Sequence, residues 1–464
     1  MRPVAHPPTP GWKAEGIETL RLAGPLALAN LLQMFIYSID VIFIARLGAD
    51  ELAASSLAVS VFGLLIWSLH GLTGAVAPIM AAELGARGPA LRPVRRSVRM
   101  ALWLSVGCGA VAMILCAFAE EVMILAGQQP HIAALAGEYT DLLLWSTIPM
   151  IASGVLRNFV STLGRPIFAT LITGMGIGVN ALANWIFIFG NLGAPAMGLE
   201  GAAIATIITT LAILAAYAIA IRLDPRLHRY HVFGFAWRPD WARLNEIVRV
   251  GTPISLTILA EAGIFAAAPF LLGLLGADQL AAHAIALQIV AIMFQVPFGV
   301  SQAATIRVGY FFGARDHEGI RRAGAVAIGM GGSFMALTAL LLLLAPMYLL
   351  AIYIDPWNPD DPGVVTWALS FLAVGAAFQL FDGLQVVAAG ALRGLKDTRV
   401  PMWIAVFSYW VPGAGMAVLL GFYTPLEGLG VWMGLATGLV CAAALLTWRW
   451  HRREALGLTA PGVK

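Results

Sequence analysis

Apolar runs of roughly 20 residues, the length that crosses a hydrocarbon core, recur along the whole chain with only short polar connections between them. Few folds can absorb that pattern. The runs make 60% of the 464 residues hydrophobic and leave 11% charged, against about 25% charged in soluble domains. A single water-soluble globule, a disordered chain and a secreted disulfide scaffold are therefore excluded. Surface this apolar needs lipid as its solvent.

Twelve spans are read between the polar breaks, near residues 20–45, 54–85, 98–119, 139–156, 167–190, 198–221, 250–274, 279–312, 323–346, 365–392, 401–421 and 428–448. Lipid offers no partner to an unpaired backbone group, so spanning segments are helices or closed barrels. These runs are too long and too uniformly apolar for barrel strands. The expected fold is an all-α integral membrane protein of twelve transmembrane helices. Its parts are an N-terminal tail, 1–19; a first lobe, 20–221; an inter-lobe linker, 222–249; a second lobe, 250–448; and a C-terminal tail, 449–464. The linker carries Trp237 and Trp241 and no apolar run.

Lys and Arg collect in short cytoplasmic loops, which gives the count a test. Arg2, Lys13 and Arg21 precede the first span, and Arg87, Arg92, Arg95, Arg96 and Arg99 follow the second. Every later cluster, up to Arg449, Arg452, Arg453 and Lys464 at the end of the chain, also falls beside an even-numbered connection. Only Arg46 lies on the other side, so 27 of the 28 basic residues fit twelve spans with both termini cytoplasmic. The opposite loops carry Glu120, Glu121, Asp355, Asp360 and Asp361. The formal net charge of +3 offers no concentrated basic surface for nucleic acid. Cys108, Cys116 and Cys441 sit in apolar runs without metal-type spacing. The start, with Pro3, Pro7, Pro8 and Pro10, lacks the basic and short apolar regions of a cleaved signal peptide, so the tail is expected to be retained.

The chain also repeats itself. Leu47-Gly48-Ala49-Asp50-Glu51-Leu52-Ala53-Ala54 recurs as Leu275-Gly276-Ala277-Asp278-Gln279-Leu280-Ala281-Ala282, seven of eight positions matching at an offset of 228 (275 − 47). Gly85-Ala86-Arg87 recurs as Gly313-Ala314-Arg315 at the same offset. A looser echo of Leu156-Arg157 and Arg165-Pro166 appears at Leu392-Arg393 and Pro401. Six spans per copy is an even number, so both copies enter the membrane in the same orientation. Parallel repeats of this kind are a transporter design in which substrate sits between two rocking halves.

An ionisable side chain near the bilayer centre costs on the order of 2.5–3.5 kcal/mol on insertion scales, and three acids lie that deep: Asp40 in the first span, Glu261 in the seventh and Asp382 in the tenth. Each is a candidate cation or proton site, or a carboxyl hydrogen-bonded to a neighbouring helix. The repeat places Gln33 opposite Glu261 and Ala268 opposite Asp40, so the acids are not a shared inheritance of both halves. No basic residue lies at mid-depth, which leaves the acids without an evident counter-ion. Asn180 and Asn184 in the fifth span are candidate neutral oxygen ligands near Asp40, or interhelical hydrogen-bonders. His283 is expected to cap or to hydrogen-bond. Met34, Phe35, Phe265, Met293, Phe294 and Phe378 either form a soft apolar wall for aromatic cations or face lipid and pack. There is no phosphate-binding Gly-rich loop, metalloprotease His pair or nucleophile elbow, so transport driven by an ion gradient, or passive, is expected, with no cofactor.

The stretch Phe381-Asp382-Gly383-Leu384-Gln385-Val386-Val387-Ala388-Ala389-Gly390-Ala391-Leu392-Arg393-Gly394 resembles the tenth-helix motif of multidrug and toxic compound extrusion (MATE) transporters of the NorM branch. Ala183-Asn184-Trp185-Ile186-Phe187 with Gly193-Ala194-Pro195, and Ala281-Ala282-His283 with Ile306-Arg307-Val308-Gly309, are similar to other segments of that branch. The resemblance implies two six-helix lobes that expel organic cations in exchange for Na+ or H+. It gives Asp40 the role of first-lobe acid with Asn180 and Asn184 beside it, and makes Glu261 and Asp382 the second-lobe cation site, with Na+ at that pair. One position departs: some sodium-coupled members have a tyrosine four residues before the tenth-helix acid, and this chain has Phe378. That leaves proton coupling open.

The expected function is a secondary multidrug antiporter of a bacterial inner membrane, a monomer whose partners are small organic cations and the bilayer. A flippase for lipid-linked sugars shares the architecture, but basic residues for pyrophosphate are expected to line its cavity, whereas the deep charges here are acidic. An intramembrane enzyme needs a clustered nucleophile or metal set, which the sequence does not present.

Overall fold

The computed structural model describes residues 10–125, 127–234, 237–359 and 362–459. Arg2, Pro3, Pro7, Pro8, Asp360, Asp361 and Lys464 lie outside the described residues. Among those described there is no strand, and twelve helices are long and apolar enough to cross a membrane. In chain order they are α1 (Trp12–Ile44), α2 (Ala49–Arg87), α3 (Leu91–Cys116), α4 (Pro130–Thr162), α5 (Ile167–Phe189), α6 (Gly198–Leu223), α7 (Trp241–Leu275), α8 (Ala277–Ala314), α9 (His317–Leu344), α10 (Pro362–Gly394), α11 (Arg399–Phe422) and α12 (Gly428–His451). Large apolar side chains such as Phe270, Leu274 and Leu344 are exposed, as lipid-facing residues of a multi-pass membrane protein are.

Local chemistry sets the helix ends. Pro130 and Pro362 open α4 and α10, where a missing N–H costs nothing. The Asp316 side chain caps α9 by accepting from Gly319 N at 2.9 Å. Gly190 closes α5 at φ +75°, where a Cβ would also press within 2.7 Å of Ala196 N, so only glycine fits.

Several helices run beyond the apolar cores read from sequence, because charges taken as end markers are paired. Helix α1 begins at Trp12 rather than near 20. Its Glu15 is fully buried and accepts from Arg307 Nε at 2.8 Å. Helix α7 begins at Trp241, inside the segment read as linker; Arg243 on its first turn pairs with Glu83 at 2.9 Å and Glu246 at 2.7 Å.

Several described residues of the remaining linker are held by side-chain bonds. Asp224 accepts from Arg226 N and Leu227 N and pairs with Arg165 at 3.1 Å. The Tyr230 hydroxyl donates to Pro89 O at 2.8 Å, and Arg95 Nε donates to Tyr230 O at 2.7 Å. Asp240 pairs with Arg96, whose guanidinium holds the carboxyl below its usual range.

Two compact units emerge. One comprises residues 28–83 and 89–255, the other 1–27, 84–88 and 256–464. The breaks inside α1 and α7, after residues 27 and 255, are separated by the repeat offset of 228 (255 − 27). Each follows by two residues a repeat-equivalent proline, Pro25 or Pro253. The first unit's core includes Phe62, Ile66, Tyr139, Leu143 and Ile151. The second centres on Leu272, Phe371, Phe378 and Trp432, with Phe371 stacked on Trp432 at 5.3 Å. In that unit α8 and α10 touch backbone to backbone: a Cβ on Gly390 would meet Ser301 O at 2.5 Å. Ser301 Oγ donates to Val386 O at 2.7 Å and Thr305 Oγ1 to Gly390 O at 2.9 Å, so the pairing is both close and hydrogen-bonded.

Candidate functional site: two buried carboxylate clusters

Helix α5 turns Asn180 and Asn184, spaced i and i+4, to one face. Both are fully buried, and both donate to the same oxygen of Asp40, at 2.9 and 2.7 Å to Oδ1. Asn184 Nδ2 also donates to Asn180 Oδ1 at 3.2 Å. The amides meet the acid through their nitrogens, as donors, rather than as the oxygen ligands the sequence suggested. Tyr139 of α4, buried and within electrostatic reach of Asp40, was not singled out by sequence. Its place at the edge of an apolar run gave it no distinguishing pattern.

In the second unit Glu261 of α7 and Asp382 of α10 converge. Gln385 Nε2 donates to Glu261 Oε1 at 3.1 Å and, more weakly, to Asp382 Oδ1 at 3.4 Å. Gln385 stood in the tenth-helix motif without a role; its spacing of three residues from Asp382 puts both on one helix face, the signal that locates it. Asp382 and Gln385 are buried, at 5% and 2% exposure.

Among the described residues neither acid has an ion-pair partner, and a longer-range attraction reaches Glu261 alone. Arg393, near the end of α10, attracts Glu261 electrostatically. It was read as a loop residue because it follows the last apolar position, but α10 continues through it to Gly394. His283 also departs from expectation. Neither ring nitrogen has a hydrogen-bond partner among the described residues, and the ring stands edge-on to Trp432 at 5.6 Å.

The apolar candidates divide between the units. Met34 and Phe35 lie on α1, Phe35 being exposed. Phe265 and Met293 are half-buried against the second unit's core, and Phe294 stacks on Phe298 at 5.9 Å. Phe378 is fully enclosed, edge-on to Trp432. Among the described residues no group of three or more His, Cys, Asp or Glu side chains is placed to hold a metal ion.

The chain matches the sequence pattern of the MatE family over residues 25–186 and 253–419, two blocks whose starts differ by the repeat offset. It is 44% identical over 451 residues to a probable multidrug resistance protein NorM of Mesorhizobium japonicum, covering 97% of this chain and 96% of that one. A second such protein, from Brucella suis, is 41% identical over 96% of this chain and 94% of its own. Among solved structures, a MOP superfamily transporter from Pyrococcus furiosus superposes with a TM-score of 0.85 at 23% identity, covering 96% of this chain and 97% of that one. Fold, repeat and end-to-end similarity agree: the chain belongs to the MatE family, the multidrug and toxic compound extrusion proteins, and is a multi-pass membrane transporter, not an enzyme.

Proposed function

We propose that the protein is a secondary antiporter of a bacterial inner membrane. It expels amphipathic organic cations in exchange for Na+ or H+, by alternating access of its two halves, as a monomer with both termini cytoplasmic and no cofactor. The relatives' description as multidrug resistance proteins supports drugs as cargo. The clustering of arginines beside even-numbered connections supports the orientation.

The observation that carries the reading is that deep acids in each unit are held by neutral amides: Asp40 by Asn180 and Asn184, and Glu261 with Asp382 by Gln385. An amide hydrogen-bonds a carboxylate without neutralising it. In a medium of low dielectric the remaining charge draws in a cation or a proton. An organic cation and a coupling ion compete for the same negative charge, so arrival of one favours departure of the other. Aromatic and methionine side chains such as Phe265 and Met293 supply adaptable apolar contact for the rest of an amphipathic cation.

Efflux from proteoliposomes under an imposed Na+ or H+ gradient tests this. Ethidium should be expelled under at least one of the two gradients and stay put when both are collapsed, while a size-matched aromatic dianion should not move. Equal export of cation and dianion contradicts the reading.

A further inference from the structure

The first turns of α1 and α7 are copies of each other. At the offset of 228, Ala14, Glu18, Arg21 and Pro25 match Ala242, Glu246, Arg249 and Pro253. Each of these arms packs apart from the rest of its own helix: residues 12–27 of α1 belong to the second unit and residues 241–255 of α7 to the first. The surfaces that receive the arms are copies too. The α1 arm lies against α8, where a Cβ on Gly299 would come within 2.6 Å of Ala27 N. The α7 arm lies against α2, where a Cβ on Gly251 would come within 2.1 Å of Leu72 O. Gly71 and Gly85-Ala86-Arg87 of α2 match Gly299 and Gly313-Ala314-Arg315 of α8. Arms and surfaces this alike need something other than shape to tell them apart.

One pair of charges breaks the likeness. Glu15 of the α1 arm stands where the α7 arm has Arg243 (243 − 15 = 228). The receiving surfaces are reversed to match: Arg307 Nε of α8 donates to Glu15 Oε1 at 2.8 Å, and Arg243 pairs with Glu83 of α2 at 2.9 Å. In the shared frame Glu83 is equivalent to Phe311, one helical turn from Arg307 (311 − 307 = 4), so both receiving charges serve the same part of the surface. An α1 arm laid on α2 would bring Glu15 to Glu83, and an α7 arm laid on α8 would bring Arg243 to Arg307. Glu15 is fully buried where it sits, and like charges in so dry a contact repel strongly.

We propose that this reversal of charge assigns each arm to its surface: α8 accepts the arm that bears an acid, and α2 accepts the arm that bears an arginine. The matched contacts attract and the mismatched ones repel, and discrimination between two similar partners uses both. Repeats that had stayed identical here would distinguish the two surfaces by chain connection alone. The reversal adds a preference while keeping the glycines that let the backbones meet. It is independent of cargo and of the coupling ion.

The test is a disulfide that reports where the α7 arm docks. The hydroxyl oxygens of Ser68 on α2 and Ser255 on α7 are 2.6 Å apart. Ser68→Cys with Ser255→Cys, in the full chain in membranes with Cys108, Cys116 and Cys441 replaced by alanine, should therefore cross-link under mild oxidation. Exchanging only the arm charges, Glu15→Arg with Arg243→Glu, sets like charges against each other at both surfaces and should lower cross-linking about tenfold. Adding Arg307→Glu and Glu83→Arg inverts the surfaces as well and should restore both cross-linking and melting temperature. Ion pairs that only add stability predict a lower melting temperature with cross-linking unchanged in the arm exchange, and that result overturns the inference. Failure of the fourfold inversion to restore cross-linking overturns it too. If the arm exchange does not fold, the fourfold inversion decides: a folded, cross-linked chain supports the inference, and continued misfolding overturns it.

Discussion

Gln385 Nε2 reaches Glu261 Oε1 at 3.1 Å, tying α10 to α7 at the depth where Asp382 also lies. One neutral side chain thus holds two carboxylates toward a common point while contributing no charge to either. The pair stays available to a cation, and its geometry is set before the cation arrives.

Gln385→Leu keeps the volume and removes the donor. Without it the two acids repel with nothing holding them together, and an incoming ion must reorganise them. The loss of a hydrogen bond to a charged group, about 1.5 kcal/mol, corresponds to roughly a tenfold slower efflux. Initial rates in vesicles, normalised to inserted protein, check this; a wild-type rate contradicts it.

On the proposed antiport, Asp40 serves a step separate from the second-unit site. The repeat-equivalent position is Ala268, and its own partners are amides within the first unit. On that proposal, neutralising the carboxyl would loosen its tie to the two amides of α5 and so favour release of cargo. In Asp40→Asn, drug binding in detergent should persist while vesicle efflux falls by about tenfold or more. Survival of both makes Asp40 a replaceable structural hydrogen-bonding group.

The span count, the duplication and the three deep acids were legible because each has a one-dimensional signature: run length, a fixed offset, and a charge where charges are costly. The unit breaks after residues 27 and 255 follow the same offset, although only the contacts reveal that they fall inside helices. What the sequence hid is neutral or displaced. Gln385 carries no charge to mark it, although it touches both second-unit acids. Arg393 was hidden by the rule that exposes topology, since an arginine at the end of an apolar run reads as a loop residue. Glu15 was hidden in the same way, its charge cancelled by Arg307, which is far away in sequence.

The linker pairing has a defined pH window. Asp240, its carboxyl held below the ordinary 3.8 by Arg96, contributes stability that is fully present above that value and is lost as pH falls through the lowered one. Melting curves should therefore show no contribution from this pair to any change between pH 7 and about 5. Asp240→Asn should lower the melting temperature throughout that range, and the gap to wild type should close only in stronger acid. A gap that closes already near neutral pH contradicts the assignment.

If the Glu261 and Asp382 carboxylates couple ion entry to drug exit, gradient-driven ethidium efflux from proteoliposomes should separate wild type from Glu261→Gln and Asp382→Asn at equal insertion. Each amide keeps the shape and removes the charge. Gradient-dependent efflux is expected in the wild type and none above protein-free vesicles in either variant. Wild-type efflux by both variants would contradict it.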